Sequence, residues 1–435
     1  MQVSVESAGG LKRRMKVEVP AERVDSEVES RIRSLGKKAR LPGFRPGKVP
    51  FKVLKQQYGE QVRSEVINEV LRKTWSEALD EQNLNPAGNP HIDDLRDTPG
   101  EKLEYEASFE VYPEFEPIGI EGETIERPQV EITEEDVDFM LDNLRRQHGE
   151  WKSVDRAAGE GDQVVIDFEG TVDGEPFEGG SGEQVSVELG AGRLLEDFEK
   201  GLSGLKPGAE KKIKVKFPKD YGSEEVAGKK GVFEVKVHEV REMELPELDE
   251  AFCEKFGVTE GGVEQLRKEV RENMEQELDQ TLRNKVKEQA LDRFLEKNES
   301  VELPQALVDQ EIENQKRQTL QQMGIQDTEQ LPDIPGDMFE DKARRRVKLG
   351  LLMGEYINQH EVKPDESRIE QVLERLTAGQ ENGEELARQY RGNPQAMQQI
   401  QAMALEEQVV DQLLESAEIK EVKQGFRDVM NFGGQ

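Results

Sequence analysis

Cysteine is nearly absent. The 435 residues hold one, Cys253, so no disulfide can close within the chain, and a reducing compartment, the cytoplasm, is expected. Histidine is almost as scarce. His91, His148, His238 and His360 are the whole set, and none stands with Cys253 at a metal-like spacing, so no metal is expected. There is no Gly-x-Ser-x-Gly and no Walker motif, and Gly190-Ala191-Gly192 lacks the third glycine of a dinucleotide loop. Those glycines read instead as a strand-to-helix turn, and no cofactor is expected. No apolar run approaches the ~18 residues of a membrane span. The opening MQVSVESAGGLKRRMKVEV has no apolar h-region, so no secretory leader is expected either. Aromatics are 6% and hydrophobic residues 34%, which points to several small cores separated by charged surface. Positive charge is outnumbered, 60 Lys and Arg against 93 Asp and Glu. The resulting net charge of −33 opposes general nucleic-acid binding, favours solubility, and also suits a salty habitat.

Against that background, one stretch has the opposite sign. The window from Arg31 to Lys55 holds nine Lys and Arg and no Asp or Glu. At its centre lies Gly43-Phe44-Arg45-Pro46-Gly47-Lys48-Val49-Pro50. Pro42, Gly43, Pro46, Gly47 and Pro50 break helix and stiffen a tight tip. Phe44 has no apolar periodicity around it to bury it. Val24, Val28, Ile32 and Leu35 recur at helical spacing before the tip, and Val62, Val66, Val70, Leu71, Trp75 and Leu79 after it. The tip therefore joins two helices, and a bulky aromatic between cations reads as a docking element. By charge alone, an ordinary solvated loop fits as well.

The rest of the chain reads as α+β and multidomain. Residues 1–112 combine alternating strands (Val3, Val5; Met15, Val17, Val19; Leu103 to Val111) with the helix–tip–helix unit, which implies an α+β N-terminal domain. Residues 113–149 form a linker opened by Pro113 and Pro117, with a helix capped by Thr133 and Asp136 and ending near His148. Residues 150–246 are rich in glycine and short strands. Val164–Phe168, Val185–Leu189, Lys211–Phe217 and Gly231–Val240 read as strands, Asp173-Gly174 as a hairpin turn, and Leu194–Gly201 as a short helix. This is a compact α+β domain. Residues 247–435 carry thin apolar stripes at helical spacing, punctuated by Pro304, Pro332, Pro335, Pro364 and Pro394, and read as all-α. No heptad pattern is sustained enough for a long coiled coil. Helices that meet only partly, as arms, would leave apolar strips open to a partner.

The middle domain is where chemistry could sit. It offers Phe168, Phe177, Val187, Leu194, Leu195, Phe198, Tyr221 and Phe233, which taken alone are simply a core. Its motifs resemble the FKBP-type prolyl isomerases: Val165-Ile166-Asp167-Phe168-Glu169-Gly170, Asp173-Gly174-Glu175-Pro176-Phe177-Glu178, residues 194–202, residues 217–221 and residues 232–235. The resemblance implies that Phe177, Leu194, Leu195, Phe198 and Phe233 hold a proline ring while Tyr221 and Glu178 orient the peptide. Phe168 stands where that family usually has Tyr, Glu178 where it usually has Asp, and Phe198 where many members have Trp.

The tip resembles the ribosome-docking signature G-F-R-x-G-x-x-P of the trigger factor family. Its five fixed positions are Gly43, Phe44, Arg45, Gly47 and Pro50, and Pro46 fills an open one. Residues 244–248 with 256–258 resemble that family's joint between second and third domains, and residues 344–347, 349–352 and 404–408 resemble its arms. The resemblance covers essentially the whole chain. It implies a cytoplasmic chaperone that docks through Gly43–Gly47, Lys48 and Pro50 on protein and rRNA of the large ribosomal subunit near the exit tunnel. Such a chaperone keeps nascent chains open, assists folding and export, and isomerises prolyl bonds. It leaves open a homodimer away from the ribosome. Two other classes stay open on sequence alone: a free isomerase whose extra domains recruit substrate, and a scaffold with a degenerate, inactive FKBP fold.

Overall fold

The computed structural model describes residues 1–38, 41, 44, 48–192, 194–219, 221, 223, 226–324, 335–378 and 382–432. In chain order the elements begin with β1 (Gln2–Gly9), β2 (Lys12–Val19), α1 (Ala21–Lys38), α2 (Phe51–Gln82), β3 (His91–Arg96), β4 (Leu103–Glu110), β5 (Thr124–Gln129) and α3 (Glu134–Gln147). Then come β6 (Glu150–Val154), β7 (Gln163–Val172), β8 (Glu175–Glu188), α4 (Glu196–Leu202), β9 (Glu210–Lys216) and β10 (Lys230–Glu244). The remainder is α5 (Glu250–Lys255), α6 (Gly262–Lys297), α7 (Gln305–Gln322), α8 (Asp337–Gln359), α9 (Glu366–Thr377), α10 (Gly383–Gly392), α11 (Pro394–Ser416), β11 (Glu418–Lys423) and α12 (Phe426–Val429). They form two compact units, one of residues 1–125 with 288–418 and one of residues 126–287 with 419–435.

In the first unit, β1, β2, β4 and β3 make an antiparallel sheet in that order. Met15, Val17 and Val19 of β2 and Leu103, Tyr105, Ala107 and Phe109 of β4 alternate onto one face. There they meet Val24, Val28 and Ile32 of α1 and Val62, Val66 and Val70 of α2. The buried Thr74 hydroxyl is satisfied by the Val70 carbonyl (2.8 Å) and the Tyr105 hydroxyl (3.0 Å), so it costs the core nothing. Helix α2 begins at Phe51, earlier than its apolar stripe from Val62 suggests, because the Pro50 carbonyl accepts from Val53 and Leu54 and starts the helix directly after the tip. It ends at Asn83, whose φ of 52° is the left-handed cap. Further along, the buried Asn298 clamps the linker at Ile118: its Oδ1 accepts from Ile118 N–H (2.9 Å) and its Nδ2 donates to Ile118 O (2.8 Å). Helices α9 and α11 share a small core of Val372, Leu373, Ile400 and Ala404. Met323, Met338, Leu376 and Met403 of this helical region stay exposed.

The second unit holds a five-stranded antiparallel sheet. β10 is its spine. One edge of β10 pairs with β9 along its first half and β6 along its second, while the other edge pairs with β7, which pairs in turn with β8. The turn joining β7 to β8 has Asp173 at φ 53° and Gly174 at φ 89°, the pair of positive values a type I′ turn needs. α4 packs beside β9 and starts at Glu196, two residues later than the apolar spacing of Leu194 and Leu195 suggests. Leu195 is its extended N-cap, and Glu196, Asp197 and Glu199 fill the first turn, where the helix dipole favours acids. Thr133 and Asp136 form the expected capping box of α3. A separate core gathers Val137 and Leu141 of α3, Phe252 and Cys253 of α5, Leu266, Val270 and Met274 of α6, and Phe426 and Val429 of α12.

The C-terminal stretch departs from the all-helical pattern at one place. β11 pairs with β5 as a two-stranded sheet. Ile419 and Val422 are β-branched, and β5 offers them a free edge.

Candidate functional site

Most of the sequence-predicted set in the middle domain comes together around one ring. Phe233 of β10 lies with its centroid 5.1 Å from Phe198, 6.0 Å from Phe168 and 6.1 Å from Phe177. The Phe177 ring is edge-on at 88°, the geometry that aromatic quadrupoles favour. Strand pleating explains the convergence: Phe168 on β7 points inward between Asp167 and Glu169, and Phe233 on β10 between Val232 and Glu234. Gly170 stands directly across from Phe233, and a Cβ there would come within 2.5 Å of the Phe233 ring, so the close approach requires glycine. Phe198 comes from α4, and Leu194, Leu195 and Val187 pack half-buried at the edge of the same core.

Tyr221 is different. It is 43% exposed and touches the cluster through Phe217, at 5.0 Å between ring centroids. Phe217 is missing from the sequence-predicted set, although the alternation Ile213, Val215, Phe217 puts it on the inward face. It is buried, lies 5.8 Å from Phe177 and 6.4 Å from Phe233, and so ties Tyr221 to the other rings. Glu178 is exposed and makes no ion pair among the described residues.

Two carboxylates brace the strands behind the pocket. Asp167 accepts from the Gln184 backbone N–H (2.7 Å) and hydrogen-bonds His238 Nε2 (2.6 Å), and these hold it below the usual carboxylate range. It thereby fixes the bulge of β8 opposite Phe168. Asp162 is buried and takes a bidentate pair from Arg156 (2.6 and 2.8 Å) and the Gly159 N–H (2.7 Å). Arg156 beside it outweighs burial and lowers its pKa. Its own backbone carbonyl accepts from Leu189 N–H, at the turn leading into Leu194 and Leu195. Among the described residues, no group of three His, Cys, Asp or Glu comes together as a metal site, and no helix is long and apolar enough to cross a membrane.

At the tip, Phe44 is 40% exposed, with its N–H on the Leu41 carbonyl (3.1 Å). Leu41, Val49 and Phe51 pack half-buried on the N-terminal core and bracket it. Lys48 and Pro50 are exposed. Gly43, Arg45, Pro46 and Gly47 lie outside the described residues. Arg31 pairs with Glu69 and Arg33 with Glu29, whereas Lys48, Lys52 and Lys55 make no ion pair among the described residues.

Three known family profiles match the chain. "Bacterial trigger factor protein (TF)" matches residues 1–144, "FKBP-type peptidyl-prolyl cis-trans isomerase" residues 154–238, and "Bacterial trigger factor protein (TF) C-terminus" residues 262–415. The trigger factor of Alkalilimnicola ehrlichii is 47% identical over 431 residues, 99% of this chain and 96% of the relative. That of Halorhodospira halophila is 48% identical over 433 residues, 99% of this chain and 98% of the relative. A solved structure titled "Promiscuous Substrate Recognition in Folding and Assembly Activities of the Trigger Factor Chaperone" covers 95% of this chain and 99% of its own, with 17% identity and a TM-score of 0.46.

Proposed function

The chain belongs to the bacterial trigger factor family, and on that premise we propose how its parts work. It is a chaperone with an FKBP-type peptidyl-prolyl cis-trans isomerase domain, and it serves nascent chains at the ribosome. Residues 1–112 dock, 113–149 link, 150–246 isomerise and 247–435 bind clients, in the cytoplasm. The tip meets ribosomal protein and rRNA near the exit of the large subunit, with Phe44 seated in an apolar recess and Arg45 and Lys48 on phosphates or acidic side chains. Away from the ribosome, the exposed Met323, Met338, Leu376 and Met403 pair two copies as a homodimer. A sedimentation coefficient that rises with concentration supports that pairing, and a constant one counts against it.

The observation that carries the isomerase site is the ring cluster around Phe233, which lies within the matched residues 154–238. Rotation about an X–Pro bond breaks amide resonance and takes tens of seconds or more unaided. It needs no nucleophile. The twisted amide has less charge separation than the planar one, so a dry aromatic surface stabilises it relative to water. Phe177, Leu194, Leu195, Phe198 and Phe233 hold the proline ring, Phe168 lines the floor, and Tyr221 and Glu178 orient the peptide from the rim.

Phe198→Ala tests this. The lost ring contact is expected to lower kcat/KM on a short prolyl peptide by roughly tenfold or more. Undiminished turnover by a folded variant would remove Phe198 from the site.

A further inference from the structure

The isomerase domain carries a second basic surface, on the reverse of the strands that form the pocket. Residues 206–236 hold nine lysines against five Asp and Glu, in a chain whose net charge is −33. On β9 and β10 the side chains alternate: Ile213, Val215 and Phe233 are buried, while Lys212, Lys214, Lys216 and Lys230 are exposed. The register sets these lysines together. Lys216 stands directly across from Lys230, Lys214 across from Val232, and Lys212 across from Glu234.

The far end of this face is neutralised. Lys212 Nζ lies 2.6 Å from Glu234, and Lys236 Nζ 3.6 Å from Glu210. The near end is not. Lys214, Lys216 and Lys230 make no ion pair among the described residues, although Asp197 accepts from the backbone N–H of Lys216 (3.3 Å). Like charges directly opposite on a sheet destabilise it. The three lysines lie beside the half-buried Val232, and the half-buried Thr171 stands across from Val232 on β7, with the exposed Glu169 next along that strand on the same face.

We propose that Lys214, Lys216 and Lys230 bind acidic segments of client polypeptides that flank a proline held in the pocket. The inference rests on the isomerase reading above and adds a client preference to it. Alternate residues of an extended strand lie ~6.6–7 Å apart, so Lys214 and Lys216 match alternate carboxylates of an extended acidic peptide. Lys216 immediately precedes Phe217 and Val232 immediately precedes Phe233, so a segment running on from the pocket round the strand reaches the patch. The need is electrostatic. A client rich in Asp and Glu is repelled by a chain of this net charge unless it meets local positive potential. A nucleic acid fits less well: the cations are lysines without the arginine fork, and no exposed aromatic stands on this face among the described residues to stack a base.

The test uses the full chain and its Lys214→Gln/Lys216→Gln/Lys230→Gln variant, whose changes are on the surface. Labelled peptides with one proline followed by a run of glutamates or a run of glutamines are titrated by fluorescence anisotropy, at low and raised salt, with poly(U) RNA as a third ligand. At low salt, the wild type is expected to bind the glutamate peptide roughly tenfold more tightly than the variant, with the glutamine peptide unaffected and the difference lost at raised salt. Equal binding of the glutamate peptide by both proteins overturns the proposal, as does RNA binding more tightly than that peptide and depending on the same lysines. Turnover of a short uncharged prolyl peptide is read alongside. Its absence in the wild type would count against the isomerase reading, while the glutamate-peptide difference would still support the patch.

Discussion

Asp162 shows how much a single carboxylate can hold in place. Its oxygens join Arg156 and the Gly159 amide, and its backbone carbonyl joins Leu189 just before the pocket residues Leu194 and Leu195. Its folded pKa lies below the unfolded value of 3.8, so it stabilises the fold above that pH, and the contribution is lost as pH falls through the folded value. Asp162→Asn is therefore expected to cost about 1–2 kcal/mol at neutral pH, a charge-assisted bond discounted for the half-exposed Arg156. The gap to the wild type should close as pH drops below about 4. Urea unfolding of both proteins along a pH series checks this, and a gap that stays constant to low pH would contradict it. At this scale the pocket was legible where the pleat repeats: Phe168, Phe198 and Phe233 follow from strand alternation and helix spacing. Phe217 follows from the same alternation, through Ile213 and Val215, although the sequence-predicted set omits it. The sequence does not show that Tyr221 is exposed.

At the scale of elements, the longer strands were the readable ones. β1, β2, β4 and β10 carry their own alternation, β7 opens on the apolar run Val164-Val165-Ile166, and Asp173-Gly174 announces its turn. β3, β5, β6 and β11 are short and mostly exposed, and they owe their form to a partner strand rather than to their own pattern. β11 and α12 bear this out. Their chain segment ends a long helical region, yet Phe426 and Val429 complete the core around Phe252 and Cys253. Phe426→Ala is expected to destabilise that core by about 3–5 kcal/mol. Cys253 is 0% exposed and burial pushes its thiol pKa up, so it should resist thiol reagents in the wild type and react many times faster in the variant. Unchanged labelling in a folded Phe426→Ala protein would show that α12 does not seal the core.

At the scale of the whole molecule, charge is distributed against its sum. The chain carries −33, yet the tip window and the β9–β10 face are both basic. A net charge of that size keeps the protein away from polyanions in general. Each basic surface is then a local exception, and each has unpaired lysines among the described residues. The tip stands out in the sequence because its signature is a run of adjacent residues. The β9–β10 patch does not, because only the register brings Lys216 across from Lys230. We propose that the tip is the dock, and co-sedimentation with bacterial ribosomes at low and raised salt, wild type beside Phe44→Ala/Arg45→Ala, tests this. The expected result is pelleting of the wild type that falls as salt rises and is lost in the double variant at every salt concentration. Equal pelleting of the two proteins, or pelleting of neither, would contradict the assignment of the tip.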